Sequence, residues 1–229
     1  QQFNLDFTHQ YQIKQQRTTL VPRNWFNPNL IYTWFNVPNL SGVLTMLVGL
    51  IVTALSIARE RELGTFDQLL VSLLLPLEIL MGKSIPAILI SLMEGTLIIL
   101  AAIYIFGIPL TGSLLYLYFG MFVFISAIVG VGLFISSISA TQQQAILGSF
   151  VFMAPAILLS GYATPIENMP TWLQYATYAN PLRYYLIIVK GVFLKTMPFS
   201  IVFMNVWPMA LIALFTLSFS TWFFRRRLD

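Results

Sequence analysis

Residues 38–75 read PNLSGVLTMLVGLIVTALSIARERELGTFDQLLVSLLL, and this stretch decides the fold. From Pro38 to Ala58 nothing is charged; Arg59, Glu60, Arg61 and Glu62 then follow in succession. About 20 apolar residues of helix cross a hydrocarbon core, and ionisable groups are costly at its centre. The run predicts a membrane span, about 38–63, ending in a polar bend at one surface. Gly64 can adopt the left-handed backbone that stops a helix. Thr65 and Gln68 make a capping box for a second helix, and Asp67 suits the positive end of its dipole. Leu69, Leu70, Leu73 and Leu74 give that helix an apolar face, and Pro76 is expected to stop it.

The rest of the chain follows the same rule. It is 58% hydrophobic and 9% charged, whereas a soluble domain carries about 25% charged residues. No charge occurs between Glu94 and Glu167, or between Lys195 and Arg225. Four more spans are predicted, at about 86–106, 113–135, 145–163 and 200–224. The continuous apolar runs exclude a barrel, which needs short alternating strands. The fold class is therefore all-α, a polytopic membrane helix bundle. Residues 1–35 are polar and read as the end of a water-facing domain, with 36–229 as the transmembrane domain. Gly120, Ser126, Gly130 and Gly132 predict close helix packing on the third span, and Pro155 and Pro208 predict kinks.

Arg225, Arg226 and Arg227 follow the last span, which places the carboxyl end in the cytoplasm by the positive-inside rule. Five crossings then put the amino end outside and the Arg59–Lys83 patch inside. An outside amino end without a signal peptide predicts a further span upstream. The net charge of +4 belongs to span flanks rather than to a nucleic-acid surface, since no basic stripe interleaves with aromatics. There is no cysteine and a single histidine, His9, in the polar tail. No metal cluster, nucleophile with base or G-x-x-x-x-G-K-[ST] phosphate loop is present, so the chain itself reads as no enzyme.

Two segments carry finer expectations. Arg59–Leu75 reads either as an amphipathic connector touching headgroups or as a docking surface; its alternating signs suit a protein partner carrying both. Ser160–Tyr185, SGYATPIENMPTWLQYATYANPLRYY, reads either as a plain loop or as short, proline-broken elements half-inserted in the membrane. Thr164, Pro165 and Glu167 predict a capped helix start there.

The run RERELGTFDQLLVS resembles the hallmark of ABC-2 type permeases, R-E-R-E-x-G-T-x-[DE]-x-L-L-V-[ST], matching at Arg59, Glu60, Arg61, Glu62, Gly64, Thr65, Asp67 and Leu70. The outer segment resembles the same family at Ser160, Gly161, Pro165, Ile166, Met169, Pro170, Trp172, Leu173, Gln174, Asn180, Pro181 and Arg183. RNWFNPNL at Arg23–Leu30 and TQQQA at Thr141–Ala145 look like the YbhR/YbhS-like branch. The resemblance implies a coupling helix at about 65–75 that docks on an ATP-binding subunit. It also implies outer re-entrant helices at about 164–185 that gate the path. It further implies a homo- or heterodimer of permeases, ATP and Mg held by the partner subunit, and a periplasmic membrane-fusion adaptor. The function implied is ATP-driven export of amphipathic drugs or lipid-like molecules across the plasma membrane of a bacterium.

Glu94 falls in mid-span, with no intramembrane Lys, Arg or His expected to pair with it. It reads either as a substrate or proton site or as a hydrogen-bonded acid near Gln142 or a serine. The alternative function, an ion-coupled secondary transporter, would rest on Glu94, although no internal repeat supports it.

Overall fold

The computed structural model describes residues 32–66 and 76–226. The predicted tail 1–31, Arg227, and most of the predicted coupling helix, including Asp67, Gln68 and Leu70, lie outside the described residues.

The described residues form a helix bundle: α1 Tyr32–Glu62, α2 Pro76–Tyr104, α3 Leu114–Ile138, α4 Gln142–Leu158, α5 Thr171–Ala176, α6 Pro181–Leu194 and α7 Phe199–Arg226. Among them, α1, α2, α3 and α7 are long and apolar enough to cross a membrane. Helix α4 has 17 residues, about 26 Å at 1.5 Å per residue, slightly short of a hydrocarbon core. The long helices alternate in direction. The end of α1, the start of α2, the end of α3 and the start of α4 meet at one end of the bundle. At the opposite end Tyr116 of α3 packs on Phe199 of α7, ring centroids 5.5 Å apart.

Several helices begin before their apolar runs do. Helix α1 starts at Tyr32 and carries Pro38 inside it, and α2 starts at Pro76 and carries Pro86 inside it. Helix α4 starts at Gln142, because the Thr141 hydroxyl accepts from the Gln144 amide at 3.3 Å. A polar cap of this kind leaves no trace in hydropathy.

Helix α3 is the centre of the bundle. Its small residues let neighbours approach. Gly120 faces Ile188 of α6, Gly130 faces Thr216 of α7, and a Cβ on Gly132 would collide with Thr53 of α1. Ser126 instead bonds within its own helix, to the Phe122 carbonyl at 2.8 Å. Hydroxyls bridge the close contacts. Ser136 donates to the Ala54 carbonyl at 2.6 Å and accepts from the Ile57 and Ala58 amides at 3.0 and 3.1 Å. Ser220 donates to the Gly130 carbonyl at 2.7 Å. In a bilayer such interhelical bonds contribute about 0.6 kcal/mol each, beside the dispersion gained by close approach.

Helix α6 is short and nearly all buried. Ile188 packs on Gly120 and Tyr185 stacks on Phe124 with ring centroids 4.4 Å apart. Pro181 shares a crevice with Val131. The start of α6 therefore lies deep in the bundle and its end lies beside the start of α3. There the Gly112 amide donates to the Val192 carbonyl at 2.8 Å, satisfying one of the last carbonyls of α6.

Candidate functional site

The bend after α1 is closed by backbone hydrogen bonds. The Thr65 amide donates to the Glu60 carbonyl at 3.0 Å and the Gly64 amide to the Arg61 carbonyl at 3.1 Å. These two bonds define a Schellman motif, and Gly64 takes the φ of 70° that the motif requires. The sequence expectation for Gly64 holds in this geometry. Phe66 then begins the next turn.

The four charges before the bend divide. Glu60 forms an ion pair with Lys83 of α2, both side chains about a quarter exposed. The Arg61 guanidinium donates from Nη1 to the Ser137 and Ser139 carbonyls at 2.6 and 3.2 Å, at the C-terminal end of α3. There it meets orphan carbonyls and the negative end of the helix dipole. Glu62 accepts from the Gln142 amide at 2.8 Å, at the N-terminal end of α4, where an anion is favoured. The Arg61 guanidinium also lies over the Phe66 ring, 4.8 Å from its centroid. Phe66 packs edge-on against Phe224 of α7, centroids 6.1 Å apart. One turn of α1 is thereby joined to the same end of α2, α3, α4 and α7. Arg59, Leu63, Gly64 and Thr65 remain exposed.

Within the chain three of the four charges already have partners, while Arg59 and Glu62 are exposed. Glu60, Arg61 and Glu62 bond within the chain, and Arg59 is the exposed arginine of the set. Lys83, Ser137, Ser139 and Gln142 join the site although no local pattern marks them. The acid-and-base alternation of the run was the signal, since charges of both signs can pair with helix ends of both polarities.

The outer segment is also more ordered than a loop. A 3-10 turn, Ile166–Asn168, follows Pro165, and the Thr177–Ala179 turn links α5 to α6. The predicted Thr164–Glu167 capping box does not form: the turn starts from Pro165 with no side-chain cap. Pro170 occupies the N-cap position of α5. Asn180 has two tasks. Its Oδ1 accepts from the Leu182 amide at 3.1 Å, capping α6, and its Nδ2 donates to the Ala156 carbonyl at 2.6 Å near the end of α4. Pro181 follows at the first helical position. Ser160 donates to the Ile157 carbonyl at 2.6 Å, and Gly161 turns the chain at φ 82°. Arg183 donates to the Thr177 hydroxyl and lies over the Tyr178 ring, 4.3 Å from its centroid. Ser160, Gly161, Pro165 and Arg183 line one hollow. Met169 is buried elsewhere, and Trp172 is exposed.

Glu94 lies about two thirds of the way along α2 in a groove of about 660 Å³ between α1 and α2, walled by Val37, Leu40, Leu44, Leu97 and Phe106 among others. Its Oε2 is buried without a hydrogen-bond partner among the described residues. The Thr45 hydroxyl of α1 lies beside it. Gln142 is not its neighbour, being held at the bend by Glu62. Arg183 starts from α6 between the levels of Val131 and Phe124, with Thr177 and Tyr178 as its partners.

Comparison with known proteins agrees with this architecture. Residues 11–194 match the family described as ABC-2 type transporter. Over 214 residues the chain is 48% identical to a protein of Escherichia coli (strain K12) named probable multidrug ABC transporter permease YbhR, covering 93% of this chain and 58% of that protein. Over 176 residues it is 35% identical to probable multidrug ABC transporter permease YbhS of the same organism, covering 75% of this chain and 46% of that protein. A more distant relative is ABC transporter G family member 20 of Dictyostelium discoideum, 28% identical over 182 residues, or 76% of this chain and 24% of that protein. The chain spans about half the length of the first two relatives. No solved structure matches it. The match runs through the bend, the first four helices and the inserted α6 alike, and this multi-pass membrane chain belongs to the ABC-2 type transporter family.

Proposed function

We propose that this chain is the core of the membrane-spanning permease subunit of an ATP-binding cassette exporter. It moves amphipathic substrates, drugs or lipid-like molecules, out of the cytoplasm or inner leaflet. ATP and Mg act on a separate ATP-binding subunit, which docks at the bend, where Arg59, Glu62, Leu63, Gly64 and Thr65 are exposed. The names of the relatives, multidrug ABC transporter permeases, support the substrate class.

The observation that carries this reading is the clasp at the bend. A push on an isolated loop would be absorbed by the loop. Here Glu60, Arg61 and Glu62 tie the bend to α2, α3 and α4. A displacement of the bend must therefore move several helices together, as packed interfaces shift between discrete arrangements rather than deforming smoothly. The bend then lies in the cytoplasm, the carboxyl end lies on the same side, and residues 159–198 lie toward the outside. A second permease copy, identical or paralogous, completes the path, and a periplasmic membrane-fusion adaptor extends it.

The experiment is reconstitution of the full-length protein with its ATP-binding subunit in vesicles. Arg59→Glu is expected to slow capture of that subunit, to change its salt dependence and to lower ATP-dependent transport, since reversing a rim charge acts mainly on the rate of association. Labelling that finds Gly64 and Thr65 on the extracellular side overturns the reading.

A second reading keeps Glu94 as an ion-coupling group of a secondary transporter, favoured by its unpartnered Oε2 in the α1–α2 groove. Transport that persists with the ATP-binding subunit removed and collapses in Glu94→Gln selects it. Lost expression with unchanged transport per molecule excludes Glu94 from both readings.

A further inference from the structure

The hollow on the outer side of α6 has a lining that packing does not explain. Its volume is about 570 Å³, and Arg183, Ile187 and Lys190 of α6 form one wall. Ser160, Pro165 and Glu167 lie across from them. Arg183 and Lys190 stand two turns apart, roughly 10 Å along the axis, so both face the same side of the helix. Neither has a carboxylate within ion-pair distance among the described residues, where Lys83–Glu60 is the salt bridge found.

Both cations are held in place by neutral groups. Arg183 rests on the Tyr178 ring and bonds the Thr177 hydroxyl. The Lys190 ammonium lies 5.4 Å from the Phe35 ring centroid, near the start of α1. Both side chains are partly buried. A cation withdrawn from water in this way is costly unless an anion completes it, and aromatic faces offset only part of that cost. Glu167 is exposed at the rim, so the hollow carries two positive charges and one negative. Its apolar members, Ile166, Ile187 and Pro165, suit the hydrocarbon next to an anionic group.

We propose that this hollow binds the phosphodiester headgroup of a membrane lipid, with Lys190 and Arg183 as the cations that hold the phosphate. The level of α6 fits. Lys190 lies near the outer end of α1, where headgroups sit, and Arg183 lies further in, within reach of a headgroup drawn toward the bundle. Arg offers a forked donor for phosphate oxygens, and Lys offers a mobile point charge. Glu167 sets an electrostatic limit on the affinity. The site is independent of the coupling reading, since it requires neither ATP nor the partner subunit.

The test uses the full-length protein in a neutral detergent, titrated with dihexanoyl phosphatidylglycerol, with an uncharged dihexanoyl glyceride, or with inorganic phosphate, and read by native mass spectrometry. Phosphatidylglycerol is expected to bind and the uncharged glyceride is not. Loss of one charge-assisted contact corresponds to about a tenfold or larger drop in affinity, which is expected for Lys190→Gln. Glu167→Gln is expected to tighten binding several-fold, and this variant removes nothing from the protein's own bonding. Arg183→Lys, which keeps the charge but gives up the forked donor and the stacking on Tyr178, is expected to retain more binding than Lys190→Gln. Inorganic phosphate binding as tightly as the lipid assigns the same site to free phosphate. Equal binding of the uncharged glyceride overturns the proposal. So does an affinity unchanged in both Lys190→Gln and Glu167→Gln.

Discussion

The Arg61 guanidinium donates to the Ser137 carbonyl at 2.6 Å, joining the last turn of α1 to the last turn of α3. In this position the arginine neutralises the carbonyl end of α3 and at the same time covers Phe66. The relationship ties the polar bend to the central helix of the bundle. Four predictions follow from it and from the other long-range bonds.

Arg61→Ala removes the guanidinium's charge-assisted bonds to the Ser137 and Ser139 carbonyls. A loss of about 1.5–3 kcal/mol in stability is expected from that geometry. Transport coupled to ATP is expected to fall further than the ATPase activity of the complex, because the bend loses its grip on α3. Arg61→Lys is expected to rescue stability in part but not coupling, since an ammonium cannot span both carbonyls. Equal rescue of both by lysine contradicts the clasp.

Glu60 and Lys83 test the same clasp by charge reversal. Glu60→Lys and Lys83→Glu each place like charges together, and the double swap restores the pair. Because both groups are about a quarter exposed, the coupling in a double-mutant cycle is expected to be modest, about 0.5–1 kcal/mol. Chemical denaturation in detergent measures it. A coupling near zero means that the pair closes only in the assembled complex.

Gly132 accepts no larger side chain while Thr53 stands opposite it. Gly132→Ala is expected to destabilise the protein by about 1–3 kcal/mol through overpacking. Thr53→Ala in the same chain is expected to recover much of that loss. The two substitutions are therefore non-additive, and a thermal shift assay on the four proteins reads this directly. Additive losses would show that α1 and α3 separate more easily than their contact suggests.

Asn180→Ala removes the cap of α6 and the bond to Ala156 together, for an expected loss of about 1–2 kcal/mol. Asn180→Asp keeps the acceptor for the Leu182 amide and loses the donor to Ala156, so it is expected to fall in between. Hydrogen exchange should rise at Leu159–Ser160 and at Leu182–Arg183 in the alanine variant. Protection unchanged at the end of α4 in both variants refutes the bridging role.

Much of this protein was legible from its chain. The absence of charge from Pro38 to Ala58 and from Gly95 to Ile166 marks membrane helices, because a bilayer penalises an ion wherever its partner lies. Gly64 marks the end of α1, because only a residue without a Cβ takes positive φ at little cost. Asn180-Pro181 marks the start of α6, a cap and a first-turn proline in adjacent positions.

What the tertiary structure alone decided is which groups meet. Lys83 pairs with Glu60, Ser137 with Arg61 and Gln142 with Glu62 only once the helices alternate and share an end. Lys190 and Arg183 face one hollow because α6 enters beside α3, a placement that the apolar pattern of its own residues does not record. The physical reason is one of range. Hydropathy, capping and φ preference act within one or two turns along the chain, whereas pairing across the bundle depends on which helix packs against which.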